Sequence, residues 1–198
     1  MKPAIRLLAP ILVCMLSTMT THGAAPAAEV DALKAGVFNP AREAPDFSVL
    51  GSDGTALTLS RYRGKVVVLG FGYTSCPNVC PATLAVLAMA HRKLGALGSQ
   101  VQVIYLTVDP ERDSAERLKQ YLASFDPTFT GGTGTAQQMA EVRKSYGVTA
   151  EKVGAGKDYA VAHSSFVYLI TREGKLRALM PFGHKADDYV HDISMLLN

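Results

Sequence analysis

Runs of hydrophobic residues alternate with amphipathic stretches along most of the chain, and together they predict an α/β domain. Residues 47–59 contain two short alternating runs around Asp53-Gly54, a pattern typical of a β-hairpin. Residues 65–71 and 101–108 are continuous runs rich in β-branched side chains, which favour strands buried on both faces. Between them, residues 82–97 place apolar side chains along one face of a helix.

The second half of the chain continues this alternation of helices and strands. The predicted elements are a helix at 114–125, a helix from a Thr135–Gln138 capping box to about Tyr146, strands at 164–170 and 175–180, and a helix at 186–197. A βαβ unit that is followed by a hairpin and a final helix predicts a thioredoxin-like mixed sheet flanked by helices, with an N-terminal β-hairpin.

The first 27 residues predict a secretory signal. Lys2 and Arg6 precede an apolar stretch at 7–16, and small residues lead to a cleavage site at Ala25-Pro26-Ala27. The apolar stretch is shorter than the ~20 residues that a transmembrane helix needs. The alternative is that this segment is retained as a short N-terminal anchor.

Three parts of the chain follow from these patterns. Residues 1–27 are the signal or anchor, residues 28–44 have weak periodicity and predict a linker, and residues 45–198 form the folded domain. We therefore expect an exported protein of a bacterial periplasm, either free or attached to the inner membrane through its N-terminal segment.

Composition narrows the classes of function. The chain has 198 residues with 20 Lys+Arg, 17 Asp+Glu and 48% hydrophobic residues, which excludes intrinsic disorder and gives no basis for nucleic-acid binding. Three cysteines are too few for a disulfide scaffold. Cleavage of the signal removes Cys14 and leaves Cys76 and Cys80 in a compartment that oxidises thiols.

Cys76 and Cys80 lie in the sequence FGYTSCPNVCP, after a predicted buried strand and before a predicted helix. Pro81 suits the first helical position, so Cys80 is expected near the N-cap and Cys76 in the preceding loop. The positive end of the helix dipole should lower the pKa of both thiols and favour thiolates. Three interpretations remain open, namely a structural disulfide, a redox-active dithiol and a metal site.

His163 is the best candidate for a third ligand among the histidines that follow the signal. It directly precedes the strand at 164–170, and in a thioredoxin-like sheet that loop faces the first turn of the cysteine helix. The alternative for His163 is a packed histidine that binds no metal. For His91, His184 and His191, a packed or solvated role is the ordinary expectation.

Cys76, Cys80 and His163 would supply two thiolates and one neutral imidazole. Structural zinc takes four protein ligands and iron–sulfur clusters take four cysteines, and no fourth ligand is evident. Copper is the soft ion that remains, as Cu(I) or Cu(II), with one ion per chain.

From about Pro45 to its C-terminus, the chain resembles the Sco/SenC family of copper-binding proteins. The resemblance is carried by four segments in order: 70–81 (GFGYTSCPNVCP), 107–113 (TVDPERD), 130–136 (TGGTGTA) and 158–164 (DYAVAHS). It implies a thioredoxin-like domain that binds one copper ion through Cys76, Cys80 and His163.

The resemblance also implies a function in the assembly of cytochrome c oxidase. Such proteins deliver copper to the binuclear centre of an oxidase subunit or keep the cysteines of that subunit reduced. The expected partners are the copper-receiving subunit and either another copper carrier or a thioredoxin-like reductant, with no nucleic acid and with membrane contact only through an N-terminal anchor. A metal-binding assembly factor is favoured over an enzyme.

The same residues allow two enzymatic alternatives. In a thiol–disulfide oxidoreductase, Cys76 would attack a target disulfide and Cys80 would resolve the mixed disulfide. A peroxiredoxin-like peroxidase is the weaker alternative, because no arginine is evidently placed beside the cysteines.

Two positions depart from the family pattern. Asn78 lies between the cysteines and Ala162 directly precedes His163, whereas the family usually has aspartate at both. Because nearby carboxylates tune the basicity of metal ligands, we expect copper binding with a weakened Cu(II) form. Asp109 either fixes the loop near the metal-binding turn or lies in a solvated loop, with Asp113 as a helix cap.

Overall fold

A computed structural model describes residues 33–198, in which an eight-stranded mixed sheet is flanked by helices. The strands are β1 (Gly36–Glu43), β2 (Ser48–Gly51), β3 (Ala56–Thr58), β4 (Val66–Gly72), β5 (Val101–Thr107), β6 (Thr130–Thr133), β7 (Ala150–Val153), β8 (Ala160–His163), β9 (Phe166–Ile170) and β10 (Lys175–Pro181). The helices are α1 (Val79–Leu94), α2 (Ala115–Ala123), α3 (Ala136–Tyr146) and α4 (Ala186–Leu197).

The strand order in the sheet is β1-β10-β9-β4-β5-β6-β2-β3, and β7 and β8 form a separate two-stranded ribbon. β4, β5 and β6 are parallel, whereas β9 and β10 run antiparallel to their neighbours. The predicted βαβ unit is therefore β4–α1–β5, and the thioredoxin-like mixed sheet with its early hairpin of β2 and β3 is confirmed.

β4 lies in the middle of the sheet, and all seven of its residues are buried. Such a strand has no solvent-facing side, which explains why its sequence is a continuous apolar run rather than an alternating one. α1 follows β4 and packs against α4, with Leu84 and Leu87 among its buried residues. The segment between β4 and α1 consequently leaves the sheet at its centre, which is where the two cysteines lie.

The predicted ends of α3 are confirmed in atomic detail. The Thr135 hydroxyl accepts a hydrogen bond from the Gln138 N–H, and the Gln138 side chain accepts one from the Thr135 N–H. After Tyr146, Gly147 ends the helix with φ of 70°, a left-handed conformation that glycine adopts without a Cβ penalty. The local sequence was sufficient for this helix because both of its caps are made by neighbouring residues.

The predicted linker at 28–44 is wrong for Gly36–Glu43, which forms β1 and pairs antiparallel with β10 at one edge of the sheet. Directly before it, the N–H groups of Lys34 and Ala35 donate to the buried carboxylate of Asp192 in α4. These partners are more than 130 residues away, so no local pattern announces them. The predicted signal at 1–27 lies outside the described residues, and no helix within 33–198 has the length and hydrophobicity to cross a membrane.

Candidate metal centre

The two cysteines lie where β4 passes into α1. α1 begins at Val79 after an Asn78 N-cap, so Cys80 is in its first turn and Pro81 is the third helical residue rather than the first. Cys76 is in the loop before the helix, where its N–H donates to the Tyr73 carbonyl at 3.3 Å. Both thiols are free, with Cys80 buried and Cys76 partly exposed, so the pair does not form a structural disulfide in this structure.

His163 lies at the end of β8, and the structure brings it to Cys80. The distance from its Nε2 to the Cys80 Sγ is 3.5 Å, although 83 residues separate the two. Its Nδ1 lies 2.9 Å from the Ser164 carbonyl, which can accept only if Nδ1 carries the proton. The lone pair is therefore on Nε2 and faces the sulfur, an arrangement common in metal-binding histidines.

The imidazole is held in the form that a metal requires. Burial lowers the pKa of His163, against the opposing effect of the hydrogen bond to Ser164, and so favours the neutral ring. A neutral ring accepts from the Cys80 thiol. The proximity of His163 to the cysteine helix, predicted from the element order, is thus observed.

Cys76 does not complete the set in the conformation described. Across residues 33–198, no three His, Cys, Asp or Glu side chains are arranged closely enough to hold a metal ion as they stand. Cys80 and His163 form a preorganised pair, whereas Cys76 is a partly exposed side chain on a loop. Closure of a three-ligand site therefore requires movement of the Cys76 side chain toward that pair.

The two thiols ionise differently, which corrects the expectation that the helix dipole lowers the pKa of both. Burial raises the pKa of the Cys80 thiol to about 12. Burial also opposes ionisation of Cys76, but hydrogen bonds from the backbone N–H groups of Cys80, Asn78 and Val79 outweigh it and lower its pKa. Desolvation outweighs the helix dipole at the buried Cys80 in the first turn of α1, whereas backbone donors outweigh desolvation at Cys76 in the loop.

This asymmetry predicts the order of alkylation in the reduced, metal-free protein. At pH 8, iodoacetamide should modify Cys76 at least about 100-fold faster than Cys80, because each pKa unit changes the thiolate fraction tenfold and Cys80 is also shielded. Peptide mass spectrometry over time measures both rates. The Cys76→Ser variant should show only the slow reaction. Equal rates at the two cysteines would contradict the prediction.

β8 is held against the site by contacts that the sequence did not reveal. The Tyr73 hydroxyl accepts from the Val161 N–H at 3.2 Å, and the Tyr73 ring packs edge-on against His163 with centroids 5.9 Å apart. The Tyr159 hydroxyl donates to the buried Asp109 carboxylate at 2.7 Å. The buried Asp109 carboxylate therefore anchors the segment that carries His163, and the alternative of a solvated Asp109 is wrong.

Arg112 reinforces the same anchor. Its Nε donates to the Asp109 carboxylate, and its Nη1 donates to the Tyr159 carbonyl at 2.9 Å. Its guanidinium also stacks 3.7 Å from the centroid of the Tyr159 ring. A planar group with several donors is suited to this bridging contact. Asp109, Arg112 and Tyr159 therefore connect the end of β5 to β8.

Asp113 fixes the loop that carries Cys76. Its fully buried carboxylate accepts from the Thr74 N–H at 3.0 Å, from the Thr74 hydroxyl, and from the Thr107 hydroxyl at 2.7 Å. The expected role as a helix cap is wrong, because Ser114 caps α2 by accepting from the Arg117 N–H. The only sequence signal for the role of Asp113 is its position four residues before Arg117, and this spacing of an acidic and a basic residue is too common to identify a role.

Arg117 reaches the cysteine loop from α2. Its Nε donates to the Thr74 hydroxyl at 2.6 Å and its Nη2 donates to the Ser75 hydroxyl at 3.1 Å. An arginine thus does lie beside the residue that precedes Cys76, contrary to the sequence-based expectation, but its hydrogen bonds go to hydroxyl groups. Its position supports the loop rather than identifying a peroxide-binding site.

A narrow cleft joins the candidate ligands to the middle of the sheet. Its lining includes Cys80, His163 and Tyr105. On β4, Gly72 leaves room for two of these side chains, because a Cβ at this position would lie 1.9 Å from the Tyr105 hydroxyl oxygen and 2.9 Å from the Cys80 sulfur. The sequence gives no separate role to either residue, because Tyr105 belongs to a strand pattern that predicts only packing and Gly72 stands inside the cysteine motif without a side chain of its own.

Comparison with known proteins decides the family. The SCO1/SenC family model matches residues 37–198, which is most of the chain. The chain belongs to the SCO1/SenC family. The matched range begins at residue 37 and therefore includes nearly all of β1.

Individual members of the SCO1/SenC family are similar in sequence and structure. The mitochondrial SCO2 homolog of Bos taurus is 39% identical over 133 residues, which cover 65% of this chain and 50% of the bovine protein. ScoI of Bradyrhizobium japonicum, solved with copper bound, superposes with a TM-score of 0.73 and 33% identity over 78% of this chain and 99% of that one. Apo Sco1 from Thermus thermophilus superposes with a TM-score of 0.76 and 34% identity over 83% of this chain and 97% of that one. The chain spans about half the length of the curated relatives it matches.

Proposed function

We propose that this protein is a copper metallochaperone that binds one copper ion through Cys76, Cys80 and His163 and passes it to the binuclear copper centre of cytochrome c oxidase. The observation that carries the proposal is the 3.5 Å approach of His163 Nε2 to Cys80 Sγ, with a second thiol four residues away. The copper-bound structure of a similar family member supports the choice of ion. The oxidase as acceptor is inferred from the resemblance to the family.

The ligand chemistry fits a soft ion. Thiolate and imidazole ligands suit Cu(I), and imidazole also accommodates Cu(II). Binding replaces the protons of the two thiols, which are released to solvent, because the thiolate is the metal ligand. The neutral His163 ring needs no deprotonation, and its Nε2 already faces the site.

The unequal positions of the two cysteines suggest how the ion is released. Cys76 is partly exposed and on a loop, whereas Cys80 is in a helix and is only 3% exposed. A thiol of the partner can therefore reach the copper from the Cys76 side and displace that ligand first. Cys80 and His163 hold the ion until the partner supplies further ligands, so the ion is never free in solution.

Copper titration of four variants tests the proposal. Competition against a Cu(I) chelator should show one tightly bound ion in the reduced protein. Cys76→Ser, Cys80→Ser and His163→Ala should each weaken binding by more than the roughly 10- to 100-fold loss typical of a group outside the ligand set. The matched control is His191→Ala, since His191 is an exposed histidine of α4 that contacts Asp192.

Two results would contradict the metallochaperone. The first is no stoichiometric uptake of Cu(I) by the reduced protein. The second is an affinity that His163→Ala and His191→Ala change equally. Delivery to the acceptor is then tested separately, by mixing the copper-loaded protein with the copper-binding domain of an oxidase subunit and measuring which protein holds the ion after separation.

A thiol–disulfide oxidoreductase is the second candidate, and the asymmetry of the cysteines favours it. Hydrogen bonds from the backbone N–H groups of Cys80, Asn78 and Val79 lower the pKa of the accessible Cys76 despite its partial burial, which suits an attacking thiolate. Cys80 is a buried thiol close enough to resolve the mixed disulfide. His163→Ala separates the candidates, because the oxidoreductase should keep most of its disulfide-exchange rate while the metallochaperone loses its copper.

A further inference from the structure

Tyr105 has a buried hydroxyl that the described residues leave without a hydrogen-bond partner. The residue lies on β5 and its side chain is among the buried core. An unpartnered hydroxyl in the core costs free energy that phenylalanine at the same position would avoid. A buried polar group of this kind requires an explanation in terms of what it faces.

The Tyr105 hydroxyl faces Cys80. Because Gly72 has no side chain, the oxygen and the sulfur converge on the space beside its Cα, and they lie 1.9 Å and 2.9 Å from the point that a Cβ would occupy. These two distances limit their separation to 4.8 Å. Tyr105 and Cys80 also line the same cleft as His163, so the hydroxyl points toward the candidate copper ligands rather than toward an unrelated part of the core.

The state of the Cys80 sulfur determines how strongly it can accept a hydrogen bond from the Tyr105 hydroxyl. A protonated thiol is a weak acceptor, and the Cys80 sulfur lies within 3.5 Å of the lone pair of His163 Nε2, to which its proton can be donated. A thiolate is a much stronger acceptor, and hydrogen bonds to charged acceptors are shorter and stronger than neutral ones. Copper binding sends the Cys80 proton to solvent and so creates that acceptor.

We propose that Tyr105 is a positioning residue of the copper site, whose hydroxyl donates a hydrogen bond to the Cys80 sulfur once this sulfur is a copper-bound thiolate. The inference rests on the proposed copper function and adds a residue outside the ligand set. Hydrogen bonds around a cysteine sulfur tune the affinity and the redox properties of the bound metal. Tyr105 thus supplies a donor on the side of Cys80 away from solvent.

Tyr105→Phe tests the inference, with Tyr121→Phe as the matched control. Tyr121 lies on α2 and also has a buried hydroxyl without a partner among the described residues, but it does not line the cleft. Three quantities are measured for each variant: Cu(I) affinity by chelator competition, the energy of the sulfur-to-copper charge-transfer band of the Cu(II) form, and the thermal unfolding midpoint of the reduced metal-free protein.

The expected result is a change confined to copper binding. Tyr105→Phe should weaken Cu(I) binding about 10-fold. It should also move the charge-transfer band to lower energy, because a thiolate that accepts no hydrogen bond holds its electrons less tightly. The unfolding midpoint should stay the same or rise, since the substitution removes an unpartnered polar group. Tyr121→Phe should leave affinity and band unchanged.

Several outcomes would overturn the inference. If the unchanged protein binds copper but Tyr105→Phe has the same affinity and the same band, the inference fails and the proposed function stands. If Tyr105→Phe lowers the unfolding midpoint but does not change the energy of the charge-transfer band, the hydroxyl stabilises the folded core and does not act on the copper site. An equal change of copper affinity and band energy in Tyr121→Phe would show that the effect is not specific to Tyr105. A protein that takes up no copper would overturn the proposed function and the inference together.

Discussion

Asp113→Ala is expected to reduce the free energy of unfolding of the reduced, metal-free protein by about 3 kcal/mol. The substitution leaves the Thr74 N–H and hydroxyl and the Thr107 hydroxyl without their buried acceptor. Donors that lose a buried charged acceptor carry a desolvation cost that the folded state cannot recover. For a chain of this size, the unfolding midpoint should fall by roughly 6–12 °C in a thermal unfolding experiment.

The control for Asp113→Ala is Asp187→Ala. Asp187 forms an ion pair with Lys93 at 2.6 Å, but its side chain is 76% exposed. Removal of an exposed ion pair should change the free energy of unfolding by less than about 1 kcal/mol. If Asp113→Ala and Asp187→Ala both change the free energy of unfolding by less than about 1 kcal/mol, the buried Asp113 carboxylate does not hold the cysteine loop through these hydrogen bonds.

Gly72→Ala is expected both to displace Cys80 and to destabilise the protein. The new Cβ would lie 1.9 Å from the Tyr105 hydroxyl oxygen and 2.9 Å from the Cys80 sulfur, so at least one of these side chains must move. Overpacking in a buried strand costs about 1–3 kcal/mol, and the upper end applies because both neighbours are buried. Copper affinity should also fall by more than about 10-fold, since the ligand itself shifts.

Gly70→Ala is the matched control for this substitution. Gly70 is on the same strand, two residues earlier, and its Cβ would meet Tyr105 at 3.4 Å, an ordinary contact distance. We expect a change in the free energy of unfolding of less than about 1.5 kcal/mol and little change in copper affinity. Urea unfolding and the copper titration measure the two effects. Equal losses of stability and copper affinity in Gly70→Ala and Gly72→Ala would contradict the argument that a Cβ at position 72 displaces Tyr105 or Cys80.

The sequence predicted those parts of the fold that neighbouring residues determine. The Thr135–Gln138 capping box, the buried run of β4 and the helix at 186–197 all appear as expected, because each pattern and its physical cause lie within one element. β1, β6 and the two ribbon strands β7 and β8 were not predicted as strands. β1 is a partly exposed edge strand and β6 has the sequence TGGT, so neither carries an apolar pattern of its own.

The candidate site also contains both residues that the sequence alone could indicate and residues whose roles only the fold reveals. Cys76, Cys80 and His163 could be proposed from residue type and from their positions beside strands and helices. Asp113 and Tyr105 could not, because their roles depend on burial and on partners that the fold brings together. The opposite pKa shifts of the two cysteines were also beyond the sequence, which shows the helix dipole but not the depth at which each sulfur lies.

β1 has a consequence for how the sheet meets other chains. An outer strand with free N–H and C=O groups invites another strand to pair with it, which leads to aggregation. β1 contains Pro40, which has no N–H, and ends in Arg42 and Glu43, and its register with β10 shifts between Val37 and Arg42. Proline, charge and an irregular register all discourage strand addition. This edge of the sheet is therefore protected against growth into larger assemblies.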